Sequence, residues 1–600
     1  MKKLSLLIHM KKLSLLIYLL LLPLSLFGAK VTLQHEGRKA TLLVDGHPYP
    51  VHGVGGNGKL DTLKKRGANT IRTWGIDEKT QEILDEAHAN GLKVALGFWL
   101  GHERHGFNYS DWDSNIAQAE KLFADVKKYK DHPALLLWAL GNEMEGFEKE
   151  SNPAIYTQIE YLARSVKEID PNHPVMTITA EIGKKQIEGL NRFCPSIDIH
   201  GINCYGGGPS LPERYRKGGG IKPYLITEFG PAGTWERPAN KWGMPDEATS
   251  TEKASDYRKS YEAFQADPLC LGSFAFMWGS KQEASATWFG MLLPSGEKLA
   301  AVDELSKLWT GTAPANLCPI IESLTMVQPN EEFDPGANIT LNLKASDPEN
   351  DPLKVQWVLT EDWKEAAEGG DHRAAPPRYP KAILPTSNNT TANIKLPENG
   401  GTYRIYAFIR DGKGSAATGS ISIKIKGERK PTPAAKLATP IIITGAPKNG
   451  PWAASGWMGA TDKLKLDEAS TDNPKVGKEC TKVTFASEDG WAGIVWQHPA
   501  GDWGDLPGGF DLTGATTLSF WARGNTGGEK VTIGIGNIGK NKVYHDTFSD
   551  KKELSLTTNW QEFKIDLTGQ DLTRIKSALY FTTSSSGKAP TFYLDEIIIK

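Results

Sequence analysis

The sequence is poor in the features that would place it most quickly. Five cysteines in 600 residues, Cys194, Cys204, Cys270, Cys318 and Cys480, are odd in number, widely spaced and free of any C-x-x-C pair. That pattern argues against a cysteine metal site and leaves room for one or two disulfides at most. Charge of either sign is not in excess: 69 basic against 71 acidic residues give a formal net charge of -2. No field therefore favours nucleic acid or an anionic surface, and the expected partner is neutral. Past residue 30 no run reaches the roughly 18 apolar residues that span a bilayer.

What is there begins with the leader, MKKLSLLIHMKKLSLLIYLLLLPLSLFGAK. Lysines, an apolar stretch from Leu13 to Phe27 and the small residues Gly28 and Ala29 predict a secretory signal over residues 1–29. MKKLSLLI occurs twice, so Met10 is an alternative start. No Cys follows the apolar stretch, which argues against a lipid anchor. The expected location is outside the cell, in a periplasm or at the cell surface, with no membrane contact once the signal is cleaved.

Six hundred residues are too many for one core and predict three or four units. Residues 30–312 open with a strand pair turning at Asp45-Gly46 and then alternate strand and helix. Strands are expected over Tyr49 to Gly55, Ala68 to Trp74, Lys93 to Trp99, Ala134 to Asn142, Val175 to Thr179, Ile197 to Tyr205, Tyr224 to Phe229 and Leu271 to Trp278. Helical periodicity lies between them, as in Thr80 to Ala89, Asn115 to Tyr129 and Ile155 to Ile169, and Leu299 to Trp309 closes the series. Eight such units predict a (β/α)8 TIM barrel. Residues 313–427 change to short alternating strands between Pro, Asn and Gly, which predict a small immunoglobulin-like β-sandwich. GERKPTPAAKLATP supplies a linker over 428–440. Residues 441–600 read as a second sandwich, of jelly-roll type.

Two barrel strands are apolar runs ending on a glutamate: Ala139-Leu140-Gly141-Asn142-Glu143-Met144 on the fourth, Tyr224-Leu225-Ile226-Thr227-Glu228-Phe229-Gly230 on the seventh. A barrel keeps its chemistry at the C-terminal ends of its strands. Two carboxylates facing each other there, about 5 to 5.5 Å apart, suit glycosidic cleavage with retention: one carboxyl gives a proton to the departing oxygen and the other attacks the anomeric carbon.

At these residues the chain resembles the large clan of retaining glycoside hydrolases with catalytic glutamates on strands four and seven. Gly141-Asn142-Glu143 is similar to the clan's acid/base motif, in which the Asn contacts the sugar 2-hydroxyl. Thr227-Glu228-Phe229-Gly230 is similar to its nucleophile motif as found in the family 2 barrels. The resemblance implies that Glu143 is the acid/base and Glu228 the nucleophile. It implies that Arg72, in Asn69-Thr70-Ile71-Arg72, holds Glu228 ionised and that Tyr205, in His200-Gly201-Ile202-Asn203-Cys204-Tyr205, donates to it. His200 and Asn203 share that strand and either face the sugar or pack. Trp278 resembles the aromatic platform beneath the cleaved sugar, with a lid on the barrel core as the alternative. Trp74, Trp99, His102, Trp235 and Trp288, at or beyond strand ends, are candidates for further subsites, since Trp faces stack on sugar rings.

In the middle domain, Asp347-Pro348-Glu349-Asn350-Asp351-Pro352 and Arg410-Asp411-Gly412-Lys413-Gly414 resemble acidic turns of cadherin-type and polycystic-kidney-disease-type modules, some of which bind Ca²⁺. They are also ordinary turn chemistry, and this domain is expected to act as a spacer. The last strand, Thr591 to Ile599, resembles that of galactose-binding-like carbohydrate-binding modules. Trp452, Trp457, Trp491, Trp496 and Trp503 crowd its first half, at least two of them expected in the core. Asp467, Glu468 and Asp595 are candidates for a structural Ca²⁺. The expectation is a secreted retaining β-glycoside hydrolase without organic cofactor. Its expected substrate is a β-linked polysaccharide or oligosaccharide, a β-glucan such as β-1,3-glucan first and β-mannan or a galactan next. Transglycosylation at the same site and non-catalytic glycan adhesion are the alternatives.

Overall fold

The computed structural model describes residues 28–144, 152–329, 331–362, 375–386, 388–444, 448–585 and 587–600, so nearly all of the expected signal lies outside the described residues. Strands β1 (Val31–Glu36), β2 (Lys39–Val44) and β3 (His47–Pro48) form an antiparallel sheet. Asp45 and Gly46 turn it at φ 50° and 82°, the left-handed pair that a two-residue hairpin needs. Val31, Ala40 and Leu42 pack against barrel residues such as Leu137, Ile178 and Phe274, so this sheet plugs the barrel floor.

Eight parallel strands then close on themselves. They are β4 (Val51–Gly55), β5 (Thr70–Arg72), β6 (Lys93–Phe98), β7 (Leu135–Leu140), β8 (Val175–Ala180), β9 (Ile199–Asn203), β10 (Tyr224–Phe229) and β11 (Cys270–Ala275). Helices α1 (Leu60–Lys65), α2 (Thr80–Ala89), α3 (Trp112–Tyr129), α4 (Pro153–Ile169), α5 (Lys184–Phe193), α6 (Leu211–Lys217), α7 (Ser250–Gln265) and α8 (Ala300–Thr310) alternate with them. This is the expected TIM barrel. Strands β7 and β10 are buried at every position, which is why they read as unbroken apolar runs. Helix α3 starts three residues before its apolar periodicity because the Asp111 side chain accepts a hydrogen bond from Ser114 N at 3.2 Å. Asn152 caps α4 in the same way, with Pro153 in the first turn.

Two four-stranded sheets follow, stacked as a sandwich. Their strands are β12 (Ile320–Met326), β13 (Glu332–Phe333), β14 (Asn338–Ser346), β15 (Lys354–Glu361), β16 (Ile383–Leu384), β17 (Thr391–Lys395), β18 (Gly401–Arg410) and β19 (Ala416–Ile425). One sheet runs β12-β14-β17-β16 and the other β13-β19-β18-β15. Ile339, Leu341 and Ile394 of one meet Tyr403, Ile405 and Ile423 of the other. This domain is not the spacer its composition suggests: Thr418 N bonds to Ser250 Oγ at 2.9 Å, Ala416 N to Lys298 O at 2.8 Å and Trp242 Nε1 to Ser422 Oγ at 3.1 Å, docking the sandwich on the barrel.

The C-terminal domain faces a six-stranded sheet with a five-stranded one. Trp452 and Trp496 lie in its core, while Trp457 and Trp491 are 40% and 49% exposed. All five cysteines carry free thiols, and among the described residues no helix is long and apolar enough to cross a membrane.

Candidate active site

Glu228 is the fifth residue of β10 and only 6% exposed. Three side chains donate to it: Arg72 Nη1 at 2.9 Å and Trp74 Nε1 at 2.8 Å to Oε1, and the Tyr205 hydroxyl at 2.7 Å to Oε2. Arg72 ends β5 and is 1% exposed. Its Nη1 also donates to Thr227 O at 3.0 Å, and Nη2 donates to Asn142 Oδ1 at 2.6 Å. A buried guanidinium whose planar fork serves a carboxylate, a carbonyl and an amide is fixed in place, and it fixes all three.

Glu143 sits just beyond β7, on a turn rather than on the strand. Gly141 and Glu143 both have positive φ, 71° and 56°. At Gly141 a side chain would collide, since a Cβ would stand 2.6 Å from Met144 Cγ. For Glu143 the left-handed backbone is a strain of the kind that concentrates at working sites. Its amide donates to Ile178 O at 2.9 Å, which pins the turn to β8.

One network joins the two carboxylates. Asn203, the last residue of β9, donates through Nδ2 to Glu143 Oε1 at 2.7 Å and to Asn142 Oδ1 at 3.2 Å. Its own Oδ1 accepts from Thr227 Oγ1 at 2.8 Å, which sets the orientation of the amide. Asn142, with its oxygen taken by Arg72 and Asn203, turns its amide N–H groups away from both. Burial first, and the negative charge of Glu228 second, push the Glu143 carboxyl up to about 7. Arg72, Arg104 and the Asn203 hydrogen bond oppose the rise and are outweighed. The site thus pairs a carboxyl that keeps its proton near neutrality with a carboxylate that accepts three hydrogen bonds.

Arg72, Asn142, Asn203 and Tyr205 therefore come together around Glu143 and Glu228. His200 does not. Three residues before Asn203 on a strand of period two, it points to the opposite face, packs at a tilt against the Tyr215 ring of α6 with centroids 5.6 Å apart and bonds Thr179 Oγ1 at 2.9 Å through Nε2. Burial holds its imidazole down at about 3, neutral in the outer layer of the barrel. Trp278 is no platform either: it is 3% exposed, donates its Nε1–H to Gly58 O and belongs to the barrel core. Trp99 is 49% exposed and stacks on His102 at 4.8 Å, forming an aromatic ledge beyond β6. The donation from Trp74 to Glu228 has its only sequence signal in the position of Trp74, two residues past Arg72. Phe276 and Phe289, packed on Tyr205 at 6.0 and 5.2 Å, were not singled out by any motif.

The Ca²⁺ candidates of the last domain each accept hydrogen bonds, Asp467 Oδ1 from Ala469 N at 3.1 Å. Asp595 Oδ2 accepts from the amides of Lys475 and Val476 at 2.7 and 3.1 Å, and Glu468 Oε1 from Trp496 Nε1 at 3.3 Å. Among the described residues, the group whose carboxylates converge enough to hold an ion is Asp347, Glu349 and Asp351. There Lys413 Nζ already lies 2.6 Å from Asp351 Oδ1.

Comparison with known proteins gives two family matches: the glycosyl hydrolases family 2 TIM barrel domain over residues 68–232, and carbohydrate binding domain 30 over residues 441–600. The first spans Arg72, Glu143, Asn203 and Glu228. Among curated relatives, mannan endo-1,4-beta-mannosidase F of Aspergillus clavatus is 25% identical over 224 residues, 35% of this chain and 46% of the relative. Beta-glucuronidase of Paenibacillus borealis is 25% identical over 200 residues, 28% of this chain and 30% of the relative. The chain thus spans less than half the length of either. Among solved structures, Bacteroides uniformis beta-glucuronidase 2 covalently bound to cyclophellitol-6-carboxylate aziridine aligns with a TM-score of 0.38 at 13% identity, covering 94% of this chain and 67% of that one. The two family matches thus set a region similar to the glycosyl hydrolases family 2 TIM barrel domain ahead of one similar to carbohydrate binding domain 30.

Proposed function

We propose that the chain is a secreted retaining β-glycoside hydrolase that acts on a β-linked polysaccharide by double displacement. The observation that carries the reading is the asymmetry of the two linked carboxyls: Glu228 receives hydrogen bonds from Arg72, Trp74 and Tyr205, while Glu143 is pushed up to about 7. In the first step a Glu228 oxygen attacks the anomeric carbon. The bond to the glycosidic oxygen breaks and that oxygen takes the Glu143 proton. The sugar is then an ester of Glu228, whose charge is gone. With that charge the second cause of the raised Glu143 pKa goes too, so Glu143, having given up its proton, stays ionised and is available to take one from the incoming water. Water attacks the same carbon from the side the leaving group vacated, Glu228 departs as carboxylate, and the configuration is retained.

The substrate reading rests on the appended domain. A module matching carbohydrate binding domain 30, with Trp457 and Trp491 exposed on it, serves best on long or insoluble glycan. A β-glucan such as β-1,3-glucan heads the candidates. β-Mannan follows, as in the names of the mannosidase relatives, and then galactan. Secretion rests on the leader sequence. The test is product analysis on these polysaccharides and on a set of p-nitrophenyl β-glycosides, glucuronide included, with Glu228→Ala as control. Products of β configuration that disappear in the variant support the reading; wild-type turnover by Glu228→Ala ends it.

A further inference from the structure

The barrel mouth is walled by the loops that follow β10 and β11, residues 230–249 and 276–299, and both loops run under the middle domain. Their common node is Glu247. Its Oε1 accepts from Lys253 Nζ at 2.6 Å and from Thr287 Oγ1 at 2.7 Å, and its Oε2 accepts from Ser420 Oγ at 3.1 Å. Lys253 Nζ donates again to Thr287 O at 2.8 Å, so one carboxylate ties the first loop to α7 and to the second loop. From β18, Arg404 reaches the same node across the domain boundary. It is 2% exposed, its Nη1 stands 3.7 Å from Glu247 Oε2, and Nη2 donates to Pro245 O at 3.1 Å. Asp362, 3.1 Å from Nε, and Ser420, 3.1 Å from Nη1, hold the guanidinium from its own side. Only a planar fork can face all these acceptors at once; a lysine would satisfy one or two.

From the node to the chemistry is a short walk along the chain. The residue after Thr287 is Trp288, which is buried and bonds through Nε1 to Ala232 O at 3.0 Å, four residues past Glu228. Next is Phe289, whose ring lies 5.2 Å from Tyr205 and 5.6 Å from Phe276. Tyr205 is the residue that donates to Glu228 Oε2 at 2.7 Å. We propose that Arg404 of the middle domain is a positioning residue for the active site: through Glu247 and the 276–299 loop it presses Phe289 onto Tyr205 and so aims the Tyr205 hydroxyl at Glu228. The middle domain is on this view a fixed part of the site's wall. The inference rests on the reading of Glu228 as nucleophile.

The experiment is a double-mutant cycle in the full-length chain, on whichever p-nitrophenyl β-glycoside the wild type cleaves. Arg404→Met is expected to lower kcat about tenfold with KM within twofold, as a small misplacement of a reacting group does. Arg404→Lys, which keeps one contact, recovers part of the loss. In a Tyr205→Phe background the same Arg404→Met change is expected to cost less than twofold, because the hydroxyl it aims is already gone. Thr287→Val, which removes the loop's own hydrogen bond to Glu247, should show the same dependence on Tyr205 and serves if Arg404→Met fails to fold. A folded Arg404→Met chain with wild-type kcat overturns the inference, as does an equal loss from either variant in the Tyr205→Phe background. Wild-type activity that survives Glu228→Ala would instead overturn the reading of the site, and the inference with it.

Discussion

The barrel mouth and the seam under the middle domain each bury carboxylates among cations, and they settle their charge in opposite ways. At the seam Glu247 has two partners, Lys253 and Arg404. Burial alone would raise its pKa, yet the two cations and the hydrogen bonds from Lys253 and Thr287 overcome that and hold it down at about 2. At the mouth two glutamates share the buried Arg72, with the Arg104 charge reaching Glu143 as well, and Glu143 is left at about 7. The seam thus keeps the Glu247 carboxylate charged. The mouth instead leaves one acid short of a counter-ion, at a cost in stability, and puts that shortfall where a proton can be used.

The comparison breaks first at Glu228. Glu228→Ala is expected to lower kcat/KM on an aryl β-glycoside by on the order of 10⁴-fold or more, since loss of a nucleophile leaves only binding and electrostatic help. A change of tenfold or less, with the chain folded by circular dichroism, would mean that the mouth is no more specialised than the seam. Glu143→Gln comes next, at about 10² to 10⁴-fold, the usual range for a lost general acid. Its loss should be larger on an alkyl than on a nitrophenyl glycoside, because nitrophenolate departs without a proton. The decline of wild-type activity as pH rises through about 7 should be missing from the residual activity of Glu143→Gln. A pH profile whose decline persists in the variant would assign that limb to another group.

Much of the mouth was legible because barrel chemistry sits at fixed places along the chain. The buried runs of β7 and β10 announce their strands, and the glutamates, Arg72, Asn203 and Tyr205 all fall within three residues of a strand end. Of the two roles open to His200, the strand's own period decides for packing: an offset of three cannot put it on the face of Asn203. The core role of Trp278 is not legible locally, because its indole bonds to a carbonyl of the loop after β4, a contact that spans 220 residues. The seam left a fainter trace. Strand β18 carries Arg404, Tyr406 and Phe408 on the face turned away from its own sandwich core, where a solvated strand would alternate small polar residues. An outer face that rich in aromatics signals a covering partner, and here the partner is the barrel.

At the seam the expected effect is on stability. Removing one member of a buried, hydrogen-bonded charge cluster strands the others, so Glu247→Ala should cost about 3–5 kcal/mol of unfolding free energy. In urea titrations followed by Trp fluorescence the midpoint should fall correspondingly. An unchanged midpoint would show that the seam does not hold the two domains together.

The smallest effect is the most telling, because the two glutamates must respond to pH with opposite sign. Glu247 binds its proton less readily in the folded chain than in the unfolded one, about 2 against 4.5. The stability it contributes is present above pH 4.5 and is lost as pH falls toward 2. Glu143 binds its proton more readily when folded, about 7 against 4.5. Between those values the native state holds the extra proton, so stability from this group is full below pH 4.5 and declines as pH rises through 7. Glu143→Gln, which cannot ionise, should gain on the wild type across that window by up to about 3 kcal/mol, the worth of a shift of this size. Unfolding midpoints of the two chains at pH 4.5, 6 and 8 read the difference directly. A gap that stays constant would mean that Glu143 is ionised in the folded chain at neutral pH, and the mouth would then lack the stored proton that separates it from the seam.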